Sequence, residues 1–233
     1  MTANAKWHDE MIPTMPKPKA VMFDWDGTIV DSIQAIFEGY NEVCRAYDRP
    51  EIKDHHELHE VMSHGPARQI FQRFIPDHAD AALDLYYTRV PALRAQHLGI
   101  IPHIKALLET LHGQGIKLAV VSNMNYRLLA DEMKRVGLEH YFSAVVGAGE
   151  TALGKPSPEP VFLAAERLGL SRDDLSSVWF VGDMEPDMRA AAASGCSFLL
   201  YDPEGSKKHL ISHHVISSYG DFDVMAKQIL SNG

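Results

Sequence analysis

Two carboxylates stand two residues apart in the segment Phe23-Asp24-Trp25-Asp26-Gly27-Thr28. They directly follow residues 20–23, an apolar run with the length of a buried strand, and Gly27-Thr28 breaks that run as a turn would. Acids at the carboxyl end of a strand lie where open α/β sheets bind ligands. Two acids so close together need a reason to tolerate each other's charge, and a divalent metal ion provides one. The alternative interpretation is an ordinary acidic turn after a strand.

Other polar residues follow the ends of predicted strands or stand in loops between them. Ser122 and Asn123 follow one apolar run, Asp183 follows another with Asp187 four residues later, and Lys155 stands in a loop before a helix. Each has a structural alternative, namely a helix cap, a solvated lysine, or acids that complement a helix dipole. These alternatives do not explain the shared position at the carboxyl ends of strands, so we expect one common site.

The elements that must position these residues change character along the chain. Residues 32–98 carry helical patterns and no convincing strand. Asp31 or Ser32 can cap the first helix, with Gln34 placed to complete a capping box, and further helices are expected near 54–63, 66–75 and 78–96. Beyond residue 101, helices and strands alternate. The helices are predicted at 102–113, 126–136, 158–168, 185–194 and 222–230, and the strands at 117–121, 143–147, 177–181, 197–200 and 214–217.

Strands that alternate with helices imply a parallel sheet covered on both faces. The sequence therefore predicts a doubly wound, Rossmann-like α/β core with an all-helical domain inserted after its first strand. The predicted domains are a flexible N-terminal tail at 1–18, the core at 19–31 and 99–233, and the helical insertion at 32–98. The chain is expected to leave the core near Val30–Ser32 and to return near Gly99 and Pro102.

Composition narrows the class of protein. The 233 residues, of which 45% are hydrophobic, suffice for a core and an insertion. A formal charge of −9 argues against a nucleic-acid partner, and no apolar run reaches the roughly 18 residues that would indicate a membrane span. Cys44 and Cys196 are too few and too far apart for a disulfide framework. We expect a cytoplasmic protein, monomeric or homodimeric, without nucleic-acid or membrane partners.

The motifs, in this order, resemble the haloacid dehalogenase superfamily, specifically its phosphatase branch with a helical cap inserted after the first motif. They are Asp24-Trp25-Asp26-Gly27-Thr28, Ser122-Asn123, Lys155-Pro156 and Gly182-Asp183-Met184-Glu185-Pro186-Asp187. The sequence around them, from Val136 to Phe142 and from Lys155 to Pro160, is similar to that of the phosphoglycolate phosphatase-like group. The resemblance covers residues 19–231.

This resemblance implies a Mg²⁺-dependent phosphatase that hydrolyses a small phosphorylated metabolite through an aspartyl-phosphate, with phosphoglycolate as the first expectation. Asp24 would be the nucleophile, and Asp26 would be the general acid and then the base. Mg²⁺ would bind the carboxylates of Asp24 and Asp183 and the backbone carbonyl of Asp26, and Asp187 would support a metal-bound water.

The resemblance also implies phosphate and substrate contacts. Phosphate oxygens would be held by Ser122, by Lys155 and by backbone amides near Trp25, Asp26 and Asn123. Residues 63–68 occupy the place of the cap's specificity loop, which makes His64, Gly65 and Arg68 candidate substrate contacts, with Arg68 suited to a second anionic group. The alternative for this segment is an ordinary loop and helix start.

Other functions stay open on the sequence. Asp26 favours transfer from an oxygen leaving group, but a sugar phosphomutase shares both acids, and a non-catalytic phosphometabolite-binding protein could use the same scaffold. His55 and His59 have the i, i+4 spacing of a zinc-binding helix, yet no third ligand accompanies them. Because all the motifs are intact, a phosphatase is the preferred interpretation.

Overall fold

The computed structural model describes residues 15–231. Residues 1–14, which make up most of the predicted tail, lie outside the described residues. Within the described part of the tail, Met15 packs against the core, and the amide of Lys19 donates a hydrogen bond to the Ser177 carbonyl.

The structure contains parallel strands, a short antiparallel ribbon and helices. In chain order the elements are β1 (Ala20–Phe23), β2 (Val30–Asp31), α1 (Ile33–Ala46), α2 (His55–Met62), α3 (Ala67–Phe74), α4 (Ala79–His97), β3 (Gly99–Ile100), α5 (Ile104–Gly113), β4 (Lys117–Asn125), α6 (Tyr126–Arg135), β5 (Ala144–Ala148), α7 (Glu159–Arg167), β6 (Val178–Gly182), α8 (Glu185–Ser194), β7 (Ser197–Tyr201), β8 (His214–Ile216) and α9 (Tyr219–Ser231). Short 3₁₀ helices at Pro76–His78, Glu139–Tyr141 and Arg172–Ser177 join some of them.

The main sheet is parallel and has the strand order β5-β4-β1-β6-β7-β8. After β1 the chain builds one half of the sheet through β4 and β5, and then returns to the other side of β1 for β6, β7 and β8. The strand order therefore reverses at β1, and the crevice outside the carboxyl end of this strand is where such sheets bind ligands. The predicted α/β class is confirmed.

Alternating side chains of β1 divide the core into two apolar layers. Val21 and Phe23 point into a cluster with α5, α6 and α9, whereas Ala20 and Met22 point into a cluster with α7 and α8. All four side chains are fully buried. Burial on both faces explains why the strand is continuously apolar and why it holds the following residues rigidly.

The helices α1–α4 form a third apolar cluster of their own, built from residues between Ile36 and Val90. The chain enters this helical region through β2 and leaves it through β3, and the two strands pair antiparallel, with Val30 opposite Ile100 and Asp31 opposite Gly99. Hinges were expected in these two segments, but their pairing was not predicted from the sequence.

Two helix starts differ from the sequence-based expectation. Ser32 occupies the N-cap of α1 but makes no capping bond, because its hydroxyl instead donates to the Asp26 carboxylate at 2.5 Å. The predicted capping box with Gln34 is therefore wrong. The last helix begins at Tyr219 rather than near 222, since the Ser218 hydroxyl accepts a hydrogen bond from the Asp221 amide at 3.1 Å.

None of the helices between residues 15 and 231 is long and apolar enough to cross a membrane.

The packing of α5 against β1 and β4 leads to a prediction about the stability of the protein. Leu107 is fully buried, so Leu107→Ala leaves a cavity and should lower the free energy of unfolding by about 2–5 kcal/mol. Val224→Ala on α9 is the control, because Val224 is 57% exposed and its truncation should change stability by less than about 0.5 kcal/mol. Urea unfolding measures both. Equal, small effects would contradict the assignment of α5 to the core.

Candidate active site

The fold brings residues from separate predicted motifs to the crevice at β1. Asp24 follows β1, Ser122 lies within β4, Asp183 follows β6, and Lys155 comes from the loop before α7. The side chains of Asp24, Ser122, Lys155 and Asp183 are all buried. The structure thus places these four side chains close together, as the sequence led us to expect.

Lys155 is the centre of the site's ionic contacts. Its ammonium group lies 2.5 Å from Oδ1 of Asp24 and 2.7 Å from Oδ1 of Asp187. Burial opposes the charge of this lysine, but the carboxylates of Asp187 and Asp24 outweigh it and raise the pKa of Lys155 above its ordinary value. Lys155 is therefore a fixed buried cation, which is the form able to hold an anionic ligand.

Both carboxylate oxygens of Asp187 are engaged by the protein. Oδ1 accepts from Lys155, and Oδ2 accepts from the backbone amides of Asp183 and Met184 at 3.2 and 3.0 Å. A Cβ on Gly182 would lie 2.6 Å from Cγ of Asp187, so only glycine permits this approach. Asp187 therefore holds Lys155 and the Asp183 backbone in place, which is consistent with a supporting role at a metal site.

Asp183 is held by contacts that the motif itself does not include. The Thr28 hydroxyl lies 3.3 Å from its Oδ1, and the ammonium group of Lys207 lies 2.9 Å from its Oδ2. Gly27 has φ +75°, and a Cβ there would lie 2.6 Å from Oδ2 of Asp183. The glycine of the first motif therefore both makes the turn and leaves room beside this carboxylate.

The donor set fits a divalent cation. Among residues 15–231, one group of clustered ligand side chains is present, in which Asp24, Asp183 and Asp187 each offer an oxygen within 4.8 Å of the others. The histidines of α2 are not part of it. Burial is the main cause that raises the pKa of the Asp24 and Asp183 carboxyls, and the charge of Asp187 adds to it. Two lysines offset three carboxylates incompletely, so a hard, oxygen-binding cation would complete the charge balance.

Asn123 and the first motif prepare the opposite side of the crevice. The Asn123 side chain donates to the Lys155 carbonyl and accepts from the Lys155 amide, both at 2.8 Å, which fixes the loop that carries the lysine. The Ser122 hydroxyl accepts from the Met124 amide at 3.1 Å. No group within the described residues accepts a hydrogen bond from the amides of Trp25 or Asp26, so both amides are available to an anion.

Asp26 lies beside this cluster and belongs to a second ionic network. Its Oδ1 accepts from the Ser32 hydroxyl at 2.5 Å and from Nη2 of Arg94 at 2.6 Å. Arg94 is also bound by Glu132, which in turn accepts a hydrogen bond from the Trp25 indole at 2.7 Å. Arg94 and Glu132 are both buried, so this network lies inside the protein rather than on its surface.

The predicted specificity loop divides between the site and the surface. Gly65 lines the crevice together with Pro66, and a Cβ on Gly154 would lie 2.4 Å from Cγ of Pro66, so the loop packs closely on the Lys155 segment. His64 is exposed and its ring lies 5.7 Å from that of Phe74.

Arg68 does not line the crevice. Its guanidinium lies 2.7 Å from Asp80, and both side chains are exposed. In this arrangement Arg68 is a surface ion-pair residue, and the guanidinium that α1–α4 present to the crevice comes from Arg94.

The crevice encloses a cavity of about 90 Å³ between the sheet edge and the helices α1–α4. Its floor carries Asp24, Asp26 and Lys155. Its other wall is mainly aromatic and aliphatic. The lining side chains from the helical region include Ile36, Tyr40, Met62, Tyr86, Tyr87, Val90 and Arg94.

Sequence reasoning missed Arg94, Glu132 and Lys207. Arg94 falls on the buried face of α4, in line with Tyr86 and Val90, and this charged residue in an apolar stripe was the available signal. Glu132 likewise lies beside the buried Met133 on α6. Lys207 had no comparable signal, because a loop folds it back onto Asp183.

The buried carboxyls predict how cation binding depends on pH. Burial raises the pKa of the Asp24 and Asp183 carboxyls above the ordinary value of 3.8. Above pH 3.8 the folded, cation-free protein therefore binds more protons than the unfolded chain. Its free energy of unfolding consequently falls as the pH rises. A divalent cation binds the deprotonated carboxylates. The increase in Tm caused by Mg²⁺ should therefore be larger at about pH 7.5 than at about pH 5. Differential scanning fluorimetry measures this increase in Tm, with Na⁺ at equal ionic strength as the control. An equal increase at both pH values would contradict the binding of a cation by these carboxylates.

Comparisons with known proteins agree with this geometry. The family model described as haloacid dehalogenase-like hydrolase matches residues 21–201. A phosphoglycolate phosphatase of Neisseria meningitidis is 32% identical over 196 residues, which cover 76% of this chain and 77% of that protein. A phosphoglycolate phosphatase of Salmonella paratyphi A is 36% identical over 97 residues, but the match spans only 42% of this chain and 37% of that protein.

A solved structure shares the fold. The crystal structure of CbbY from Rhodobacter sphaeroides in complex with phosphate superposes with a TM-score of 0.76, covering 88% of this chain and 96% of that chain, at 20% identity. Since the family model matches most of the sequence, the resemblance seen in the motifs is confirmed, and the chain belongs to the haloacid dehalogenase-like hydrolase family.

Proposed function

We propose that the protein is a Mg²⁺-dependent phosphoric monoester hydrolase acting on a small phosphorylated metabolite, with residues 32–98 as its helical cap. The observation that carries this proposal is the buried contact of Lys155 with Asp24, next to Asp183 and at the carboxyl end of the central strand. A carboxylate nucleophile, a fixed cation and a metal-binding carboxylate meet there, as phosphoryl transfer requires.

Asp24 is the proposed nucleophile. Lys155 binds its Oδ1, and within the described residues no hydrogen bond is donated to Oδ2, which is thus the oxygen free to attack. As the bond from Asp24 to phosphorus forms, the bond from phosphorus to the leaving oxygen breaks, and the phosphoryl group is transferred to the carboxylate.

Asp26 is the proposed acid–base residue. It gives its proton to the leaving oxygen, which departs as an alcohol, and then takes a proton from the water that attacks the phosphorus of the aspartyl-phosphate. This second displacement releases phosphate and restores the Asp24 carboxylate. Asp26 lies at the cavity floor beside Asp24, where it can reach the leaving group.

Mg²⁺ would be held by the carboxylates of Asp24 and Asp183 and by the Asp26 backbone carbonyl, and it would supply the positive charge that lets a phosphate approach an acidic site. The protein's own donors for the phosphate oxygens are Lys155, Ser122 and the amides of Trp25, Asp26 and Asn123. Fixed donors of this kind stabilise the charge that develops on the equatorial oxygens.

Phosphoglycolate is the first substrate to test. Its support comes from the relatives in Neisseria and Salmonella, which carry the name phosphoglycolate phosphatase. Phosphate release across a panel of phosphorylated metabolites, with and without Mg²⁺, identifies the substrate. A phosphomutase would give an isomerised product instead of free phosphate.

Replacement of the nucleophile gives a direct prediction. Asp24→Asn keeps the side chain's shape but removes the attacking oxygen, so Mg²⁺-dependent release of phosphate from 4-nitrophenyl phosphate should fall by at least about 10³-fold. Asp77→Asn, on the exposed turn before α4, is the control and should keep full activity. A folded Asp24→Asn variant with substantial turnover would refute the mechanism.

A further inference from the structure

We infer that Arg94 is a positioning residue that fixes the acid–base carboxyl of Asp26, so that the proposed cap contributes to proton transfer as well as to enclosure. This inference rests on the proposed function. It starts from a contact that joins α4 of the helical region to the first motif of the core: Nη2 of Arg94 lies 2.6 Å from Oδ1 of Asp26.

Two donors meet at one oxygen of Asp26. The Ser32 hydroxyl and the Arg94 guanidinium both bind Oδ1, and within the described residues no donor binds Oδ2. A proton on the carboxyl group is therefore directed to Oδ2, because Oδ1 already accepts two hydrogen bonds. The two contacts also fix the carboxyl plane, and a general acid must present its proton within hydrogen-bonding reach of the leaving oxygen.

Glu132 gives Arg94 a defined orientation. Nε of Arg94 lies 2.7 Å from Oε2 of Glu132, and Nη2 lies 2.5 Å from Oε1, which is the two-point contact that a guanidinium makes with a carboxylate. The Trp25 indole binds the same Oε1 at 2.7 Å. Glu132 thus ties the guanidinium to the residue that separates Asp24 from Asp26 in the first motif.

Burial distinguishes this network from a surface ion pair. The side chains of Arg94 and Glu132 are 2% and 3% exposed, and that of Asp26 is 17% exposed. Screening by solvent is weak at such positions, and removal of one partner leaves an uncompensated charge. Lysine carries the same charge but cannot bind Glu132 at two points and Asp26 at the same time.

The network spans two parts of the fold. Arg94 belongs to α4, whereas Glu132 belongs to α6 and Asp26 follows β1. One of the two donors at Asp26 therefore comes from α4, through Arg94. The helical region that lines the cavity thus also helps to orient the acid–base carboxyl.

The leaving group provides the test. Benzyl phosphate releases an alkoxide-type oxygen that needs a proton, whereas 4-nitrophenyl phosphate, of similar size, releases a stable phenolate that does not. Arg94→Lys should lower kcat/KM by about 10–100-fold for benzyl phosphate and by less than about threefold for 4-nitrophenyl phosphate. This constant covers the steps up to release of the alcohol, so it excludes the later hydrolysis of the aspartyl-phosphate, which uses Asp26 with either substrate. Arg89→Lys is the matched control on the same helix, because Arg89 is exposed and lies 3.4 Å from Glu42; it should change neither rate.

A second variant secures the comparison. Glu132→Gln weakens the hold on Arg94 without leaving a buried unpaired anion, and it should show the same selectivity for the poorer leaving group even if Arg94→Lys does not fold. Equal losses on both substrates in a folded variant would overturn the inference and leave Arg94 as a structural residue. Failure of the unaltered protein to hydrolyse either substrate with Mg²⁺ would instead refute the proposed function.

Discussion

Lys155 and the carboxylates of Asp24 and Asp187 form the buried ionic contact on which the rest of the site depends. Charges at this depth are costly unless they are paired, and loss of one partner from such a pair typically costs about 3–5 kcal/mol. The surrounding structure serves this contact. Asn123 fixes the backbone of Lys155, backbone amides fix Asp187, and the apolar layers on both faces of β1 hold Asp24 at the sheet edge. The site is thus organised by electrostatics and held by packing.

A second network gives the neighbouring carboxyl a different environment. Asp24 meets the ammonium group of Lys155, whereas Asp26 meets a hydroxyl and a guanidinium, the latter from α4 of the helical region. Two acids separated by one residue are thereby given different partners, which is the arrangement expected when one attacks and the other moves protons. The paired strands β2 and β3 connect the helices α1–α4 to the rest of the chain next to this point. Enclosure of the cavity and orientation of Asp26 therefore have a common structural origin.

The sequence was sufficient for the fold class and for the motif residues that meet at the crevice. Strands that alternate with helices predict a parallel sheet, and the carboxyl ends of its strands lie at one edge. Local rules failed where a side chain has a tertiary partner. Ser32 does not cap α1 because Asp26 takes its hydroxyl. Arg68, which the family resemblance alone made a candidate substrate contact, is paired with Asp80 at the surface. Arg94, Glu132 and Lys207 were missed for the same reason: their partners lie far away in the chain, and no spacing rule connects them.

The central claim is that the phosphoryl group passes through Asp24, and mass spectrometry of acid-quenched protein tests it most directly. Asp26→Asn should transfer the phosphoryl group from 4-nitrophenyl phosphate, which needs no acid, but should hydrolyse the aspartyl-phosphate slowly because the base is absent. We expect a peptide that contains Asp24 and carries one added phosphoryl group on that residue. Release of nitrophenol with no phosphorylated peptide, or with the phosphoryl group on another residue, would contradict it.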